Sequence, residues 1–157
     1  MSRPEPGPEN AFLCEHAELL ISSYQRITGR ELIEQKCSRE ENAQALYEAP
    51  FGVVSHGLGD DPIFNYGNRT ALRLFEMNWA NFVALPSRRS AEAASWTERQ
   101  KLLDRVSEFG FVDGYQGVRI SATGKRFRIE QTTIWNVLDE KNVYRGQAAL
   151  IFRWSAL

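Results

Sequence analysis

The chain has 157 residues, 43% of them hydrophobic and 25% charged, so one core can bury roughly two-thirds of the unfolded surface without disulfides or metals. Its 19 basic and 20 acidic residues form no long block of either sign, which argues against a broad nucleic-acid-binding surface. Cys14 and Cys37 have no metal-ligand spacing, and no stretch resembles a signal peptide or a membrane span. We therefore expect a cytoplasmic protein with neither nucleic acid nor a membrane as a partner.

The amino-terminal region predicts a tail followed by a helix. Residues 1–9 are rich in proline and predict a disordered tail. Apolar residues then recur at helical spacing and predict an amphipathic helix: Leu13, Ala17, Leu20, Tyr24 and Ile27. Gly29 stands where the carboxy-terminal cap of this helix belongs.

A second, shorter helix is predicted next. Ser38 and Glu41 have the spacing of a capping box, and Pro50 ends the helix. A single domain over residues 10–157 is therefore predicted, with residues 10–49 as a helical extension and the remainder as its core.

The stretch 61–75 follows a predicted strand at 51–56 and predicts a second strand that turns directly into a helix. Its first part favours an extended chain. Gly67 allows the backbone to turn, and Asn68 can cap the helix. This strand, tight turn on an asparagine and helix resemble the beginning of a sensory PAS domain.

The remaining sequence predicts two more helices and three long antiparallel strands. Residues 78–85 predict a short helix, and residues 91–109 predict a long one that ends at Gly110. Alternation places five side chains on one face of the middle strand: Phe127, Ile129, Thr133, Trp135 and Val137. This order of elements resembles that of a PAS domain. It predicts an α+β fold with a five-stranded antiparallel sheet, helices on one face and an amino-terminal helical extension.

Five segments carry a narrower resemblance: residues 50–57, 61–75, 85–92, 117–121 and 146–149. Together they are similar to the PAS-related MEKHLA domain family, and the resemblance covers the chain from about the first helix onward. The family includes stand-alone bacterial proteins and the carboxy-terminal module of plant homeodomain leucine-zipper transcription factors. The resemblance implies a sensory or regulatory role. Because no homeodomain or zipper precedes the match, we expect no DNA-binding role.

The sequence has no signature of haem or of a flavin adduct. A flavin adduct in PAS relatives needs a cysteine within an Asn-Cys-Arg helix motif, whereas both cysteines lie in the helical amino-terminal region. The predicted helix at 91–109 contains no His, Cys or Met to serve as an axial haem ligand. His16 and His56 form no paired metal-binding motif. The cofactor is therefore unknown from the sequence.

Polar residues predicted on or beside the pocket side of the sheet are the candidate ligand contacts, because a buried polar group needs a partner. They are His56, Asn65, Arg119, Gln131, Trp135 and Gln147. Each has a structural alternative. Asn65 alternatively bonds the local backbone, His56 is alternatively a satisfied core histidine, and Arg119 alternatively faces solvent, since alternation leaves the inner face ambiguous by one residue. For Trp135 the alternative is a place in the core.

Arg88 is a further candidate at the lip of the predicted pocket. It lies in a polar loop that belongs to the family resemblance, and a planar guanidinium can clamp a carboxylate or phosphate through two hydrogen bonds. The alternative is a structural salt bridge.

Two functions of different classes follow. The first is a non-enzymatic PAS-like sensory or regulatory module that binds a small organic ligand or a partner protein and forms a homodimer. The second is a small cofactor-independent enzyme, isomerase- or hydratase-like, on a cone-shaped α+β barrel. In that enzyme His56 would act with Asp61 or Asp113 as acid and base. The strand-turn-helix at residues 63–75 favours the first.

Overall fold

The computed structural model describes residues 3–157. The helices within this range are α1 (Cys14–Thr28), α2 (Arg39–Tyr47), α3 (Arg69–Phe75), α4 (Trp79–Phe82) and α5 (Trp96–Phe109). The strands are β1 (Gly52–His56), β2 (Phe64–Gly67), β3 (Phe111–Ile120), β4 (Arg126–Leu138), β5 (Tyr144–Ile151) and β6 (Arg153–Ala156). Short 3-10 turns cover Pro8–Leu13, Ser87–Ser90 and Ala93–Ser95. None of the described helices is both long enough and apolar enough to cross a bilayer.

The strands form one antiparallel sheet in the order β2-β1-β5-β4-β3. β6 follows β5 after a break at Phe152 and pairs with the first part of β4. Together β5 and β6 take the place of the single last strand predicted from the sequence. The PAS-like architecture with its amino-terminal helical extension is therefore confirmed, with one interruption in the last strand.

Helices cover both faces of the sheet. On the outer face, Trp135 of β4 donates its indole N–H to Ser23 Oγ of α1 over 3.1 Å and packs edge-on against Tyr24. On the inner face, Asn136 of β4 donates to the Val106 carbonyl of α5 over 3.0 Å, and α3 packs nearby. Every residue of β1 is buried, because its two faces lie under different helices.

A β-bulge at Gln131 changes which side chains of β4 face which helices. The pairing with β3 shifts at this point, and Gln131 has a positive φ of 48°. Before the bulge, Phe127 packs edge-on against Phe75 on the inner face. After it, Trp135 lies on the outer face under α1. The prediction that these β4 side chains share one face is wrong, because one extra residue in a strand reverses the alternation.

The described part of the amino-terminal segment, residues 3–9, packs on the domain instead of forming the predicted disordered tail. Trp79 donates its indole N–H to the Arg3 carbonyl over 2.8 Å. Such a contact joins positions far apart in the chain, so local composition does not reveal it. The first part of the predicted tail, residues 1–2, lies outside the described residues.

The side chain of Asn68 is fully buried where α2, β1 and α3 meet. Its oxygen accepts from the backbone N–H groups of Ala71 and Val53 over 3.1 and 3.0 Å. Its nitrogen donates to the Leu46 and Phe51 carbonyls over 3.0 and 2.8 Å. All four hydrogen-bonding positions of the amide are used. The predicted cap of α3 is confirmed, and the same side chain also ties the end of α2 to the start of β1.

We expect Asn68→Ala to lower the free energy of unfolding by about 3 kcal/mol or more, because it removes all four hydrogen bonds of the amide and leaves the buried N–H groups of Val53 and Ala71 without a partner. The matched control is Asn78→Ala at the exposed cap of α4, where the side chain accepts one bond from the Asn81 N–H over 2.9 Å. That change should cost about 1 kcal/mol. Urea denaturation measures both, and equal losses would contradict the role given to Asn68.

The buried histidine of α1 gives a pH-dependent prediction. His16 Nε2 lies 3.0 Å from Ser55 Oγ, and burial, together with the charge of Arg3, lowers the pKa of His16 from 6.5 to about 3. The unfolded chain therefore takes up this proton first, so this contribution to stability is complete above about pH 6.5 and falls as the pH drops toward 3.

We expect the free energy of unfolding to lose about 2 kcal/mol through His16 between pH 7 and pH 5, and His16→Gln to remove that part of the loss. Urea unfolding curves at the two pH values measure the effect. If the variant and the wild type lose the same free energy on acidification, His16 is not held neutral by its surroundings.

Candidate ligand-binding site

A cavity of about 50 Å³ lies between the inner face of the sheet, α3 and α5. It has room for roughly four water molecules, or for an organic molecule with a similar number of heavy atoms. Aliphatic and aromatic side chains of β1, α3, β4 and β5 form most of its walls. The polar side chains of the lining are those of His56, Ser90, Arg99, Arg119 and Gln147; Ser55 also borders the cavity, but its hydroxyl contacts His16 and Asn65 instead.

His56 at the end of β1 has one ring nitrogen without a partner. Its Nδ1 lies 3.1 Å from the Gly57 carbonyl, which can only accept, so the proton of the neutral ring is on Nδ1. Nε2 is buried and has no hydrogen-bond partner within residues 3–157. Burial lowers the pKa of His56 and the charge of Arg99 lowers it further, whereas the Gly57 carbonyl and the side chain of Gln147 oppose that shift. The ring is therefore neutral at pH 7, and Nε2 is an unpaired acceptor.

Gln147 of β5 stands opposite His56 in the sheet and reaches across to α5. Its amide nitrogen lies 3.1 Å from the Leu103 carbonyl and 3.2 Å from Asn136 Oδ1. Asn136 in turn donates to the Val106 carbonyl. The two amides hold α5 at a fixed position over the sheet, so Gln147 supports one wall of the cavity.

Arg99 of α5 and Arg119 of β3 bring two guanidinium groups to the cavity, and they are only 8% and 6% exposed. Arg99 donates to Ser87 Oγ over 3.0 Å. Arg119 donates to the Val118 carbonyl over 2.9 Å and to the Tyr115 hydroxyl over 3.4 Å. Burial and then the charge of Arg119 lower the pKa of Arg99 to about 10, so the Arg99 guanidinium is still charged at pH 7.

The sequence pattern indicated Arg119 but missed Arg99 and Ser90. Arg99 lies one turn before Leu102 and two turns before Val106, on the buried face of α5. A charged residue within the apolar stripe of an amphipathic helix is the signal that would have identified it. Nothing in its sequence surroundings distinguishes Ser90.

Three predicted contacts lie away from the cavity. Asn65 accepts from the Ser55 hydroxyl and lines a surface cleft beside His16, Gln131 is exposed, and Trp135 is fully buried on the outer face. The prediction that they lie on the pocket side is wrong, because both strands are irregular there. The pairing of β1 with β2 shifts at Asn65, and the bulge in β4 lies at Gln131.

The remaining candidates form surface ion pairs. Arg88 binds Asp61 over 2.9 Å, which matches the structural alternative given for it, and Asp113 binds Arg30 over 2.8 Å. Neither aspartate lines the cavity with His56. The acid–base pair of the enzyme hypothesis is therefore not assembled in this structure.

A flavin or a haem does not fit the cavity in this conformation. Its volume of about 50 Å³ compares with about 300 Å³ or more for pockets that hold drug-sized ligands. Cys14 and Cys37 do not line it, so no thiol stands ready for a flavin adduct. Within residues 3–157, no three His, Cys, Asp or Glu residues are grouped to hold a metal ion.

The fold matches solved PAS domains at low sequence identity. A PAS domain from Colwellia psychrerythraea aligns with a TM-score of 0.63 and 13% identity, over 75% of this chain and 95% of that one. The PAS domain of a LuxR-family transcriptional regulator from Burkholderia thailandensis, solved with ethanol, gives 0.54 and 16%, over 73% and 95%. The light-state dimer of the fungal blue-light photoreceptor Vivid gives 0.54 and 15%, over 83% and 91%. The chain therefore has a PAS-type fold.

No protein of curated function is significantly similar to this chain. The family model of the MEKHLA domain, in contrast, matches residues 14–156. That range includes α1, the whole sheet and every residue that lines the inner cavity. The protein belongs to the MEKHLA domain family and has a PAS-type fold.

Proposed function

We propose that this domain is a sensory or regulatory module that binds a small organic molecule in the inner-face cavity. The observation that carries the proposal is the unpaired Nε2 of His56. Buried polar atoms in folded proteins nearly always have a partner, and within residues 3–157 none is supplied to this atom. A bound molecule would supply the missing hydrogen-bond donor to this nitrogen.

The location of the cavity favours sensing over passive storage of a ligand. One wall belongs to the sheet and another to α5, and the two are joined through Gln147 and Asn136. A molecule between them would contact both at once and so favour one position of α5 over others. Such a displacement can be transmitted to a partner protein or to a second copy of this chain.

The small size of the cavity limits the ligand. The Burkholderia PAS domain was solved with ethanol, a molecule of a size that the cavity here would accept. Vivid was solved as a light-state dimer, which supports the expectation that this domain also works as a homodimer. A catalytic role has less support, since His56 has no acidic partner in the cavity.

We expect native mass spectrometry of gently purified protein to show a mass increment that is absent from the denatured protein. The increment would be that of a small organic molecule, and the same spectrum would report a dimer. A native mass equal to the chain mass, together with an unchanged melting temperature in a small-molecule cell extract, would contradict ligand binding.

A matched pair of variants locates the bound molecule. Ala149 lines the cavity, so Ala149→Leu should fill it and abolish the mass increment while the fold is retained. Ala156 is exposed on β6, so Ala156→Leu makes the same chemical change outside the cavity and should keep the increment. Equal retention in both variants would place the ligand elsewhere.

A further inference from the structure

We propose that the molecule bound in the inner-face cavity is a short-chain hydroxycarboxylate. Its carboxylate would be held by Arg99 and Arg119, and its hydroxyl would donate to Nε2 of His56. This proposal rests on the proposed function and assigns the chemical class of the ligand.

The first support is the burial of two positive charges without a negative one. Six arginines with more exposed side chains each pair with a carboxylate: Arg30, Arg39, Arg69, Arg88, Arg126 and Arg145. Arg99 and Arg119 are the buried ones, and no carboxylate within residues 3–157 forms an ion pair with either. Burying an uncompensated charge costs several kcal/mol. An anion in the cavity would offset that cost.

The second support is the number of N–H groups left over. A guanidinium carries five N–H donors, and the protein supplies one acceptor to Arg99 and two to Arg119. The Tyr115 hydroxyl, which accepts from Arg119, donates to the Glu98 carboxylate over 3.1 Å. Glu98 therefore contacts the tyrosine and forms no ion pair with Arg119. A carboxylate presents two oxygens in a plane and matches such donors in pairs.

His56 determines what else the ligand must offer. Because its Nδ1–H is used by the Gly57 carbonyl, the neutral ring can only accept at Nε2. A carboxylate alone cannot satisfy that lone pair, since an ionised carboxylate has no proton to donate. Protonation of the ring instead would place a third positive charge beside Arg99, which opposes it. A hydroxyl group on the ligand is the donor that fits.

Size and wall chemistry restrict the carbon chain. The volume of about 50 Å³ leaves no room for a nucleotide or a sugar phosphate. The remaining walls include Phe75, Ile129 and Ile134, which favour a short aliphatic portion over a second charged group. Glycolate and lactate, with five and six heavy atoms, are the hydroxycarboxylates nearest to this size.

NMR titration of isotope-labelled wild-type protein tests the assignment. The probes are glycolate and lactate, then acetate and propionate, which lack the hydroxyl, lactamide, which lacks the charge, and inorganic phosphate. We expect a hydroxycarboxylate to shift the imidazole signals of His56 and the methyl signal of Ala149. The matching acid without the hydroxyl should bind about tenfold more weakly, and lactamide should not shift these signals.

Two cavity variants and one control separate binding from folding. Arg99→Met should weaken hydroxycarboxylate binding by about tenfold or more, with little loss of melting temperature because it removes a buried charge. Arg119→Gln should weaken it similarly while it retains polar contacts. Arg105→Met, at an exposed position on the same helix, should bind as the wild type does.

The outcomes separate this proposal from the proposed function. Lactamide or phosphate binding as tightly as lactate, full affinity in Arg99→Met and Arg119→Gln, or equal affinity for acetate and glycolate would overturn the hydroxycarboxylate assignment. A neutral compound that shifts the His56 and Ala149 signals would still leave a ligand-binding cavity. Absence of any shift, together with a native mass equal to the chain mass, would overturn both.

Discussion

The geometry of the inner cavity depends on a single buried amide, that of Asn68. Its four hydrogen bonds hold the end of α2, the start of β1 and the start of α3 at one point. β1 runs from that point to His56, and α3 runs from it to Phe75, so both cavity walls begin at the same place. The same amide also joins α2 of the amino-terminal extension to the core. The extension is therefore part of the structure that supports the cavity.

On the inner face, some polar side chains are hydrogen-bonded to α5, and others have hydrogen-bonding atoms without a partner in the described part of the chain. Gln147 and Asn136 have their hydrogen bonds supplied by α5, and these bonds hold the helix in place. His56, Arg99 and Arg119 instead keep an acceptor or donors without protein partners. A site built only for stability would replace these groups by apolar side chains, since buried unpaired charge is unfavourable. Their presence in the cavity is the ground for the proposal that it binds a ligand.

The helices and strands and their order could be predicted from the sequence, because they follow from local signals. The Asn68 cap, the glycines that end α1 and α5, and the Ser38 cap of α2 depend on residues a few positions apart. The face of each strand was harder to predict. Irregular pairing at Asn65 and Gln131 reverses the alternation, and a bulge leaves no reliable trace in the hydrophobic pattern.

The candidate site was predictable only in part for the same reason. His56, Arg119 and Gln147 lie on regular portions of their strands and line the cavity, although alternation alone had left open which face of the sheet Arg119 occupies. Arg99 was missed because a charged residue on an amphipathic helix is ordinarily on the solvent side. The packing of residues 3–9 escaped prediction because Arg3 meets Trp79 only in the folded chain.

Anomalous diffraction at the bromine absorption edge, from crystals of the wild-type protein soaked in sodium bromide, tests the central claim most directly. Bromide reports where the protein attracts an anion without any assumption about the ligand. The account predicts an anomalous peak in the inner-face cavity, in contact with the guanidinium groups of Arg99 and Arg119. Peaks confined to the protein surface, with water or a neutral molecule in the cavity, would contradict it.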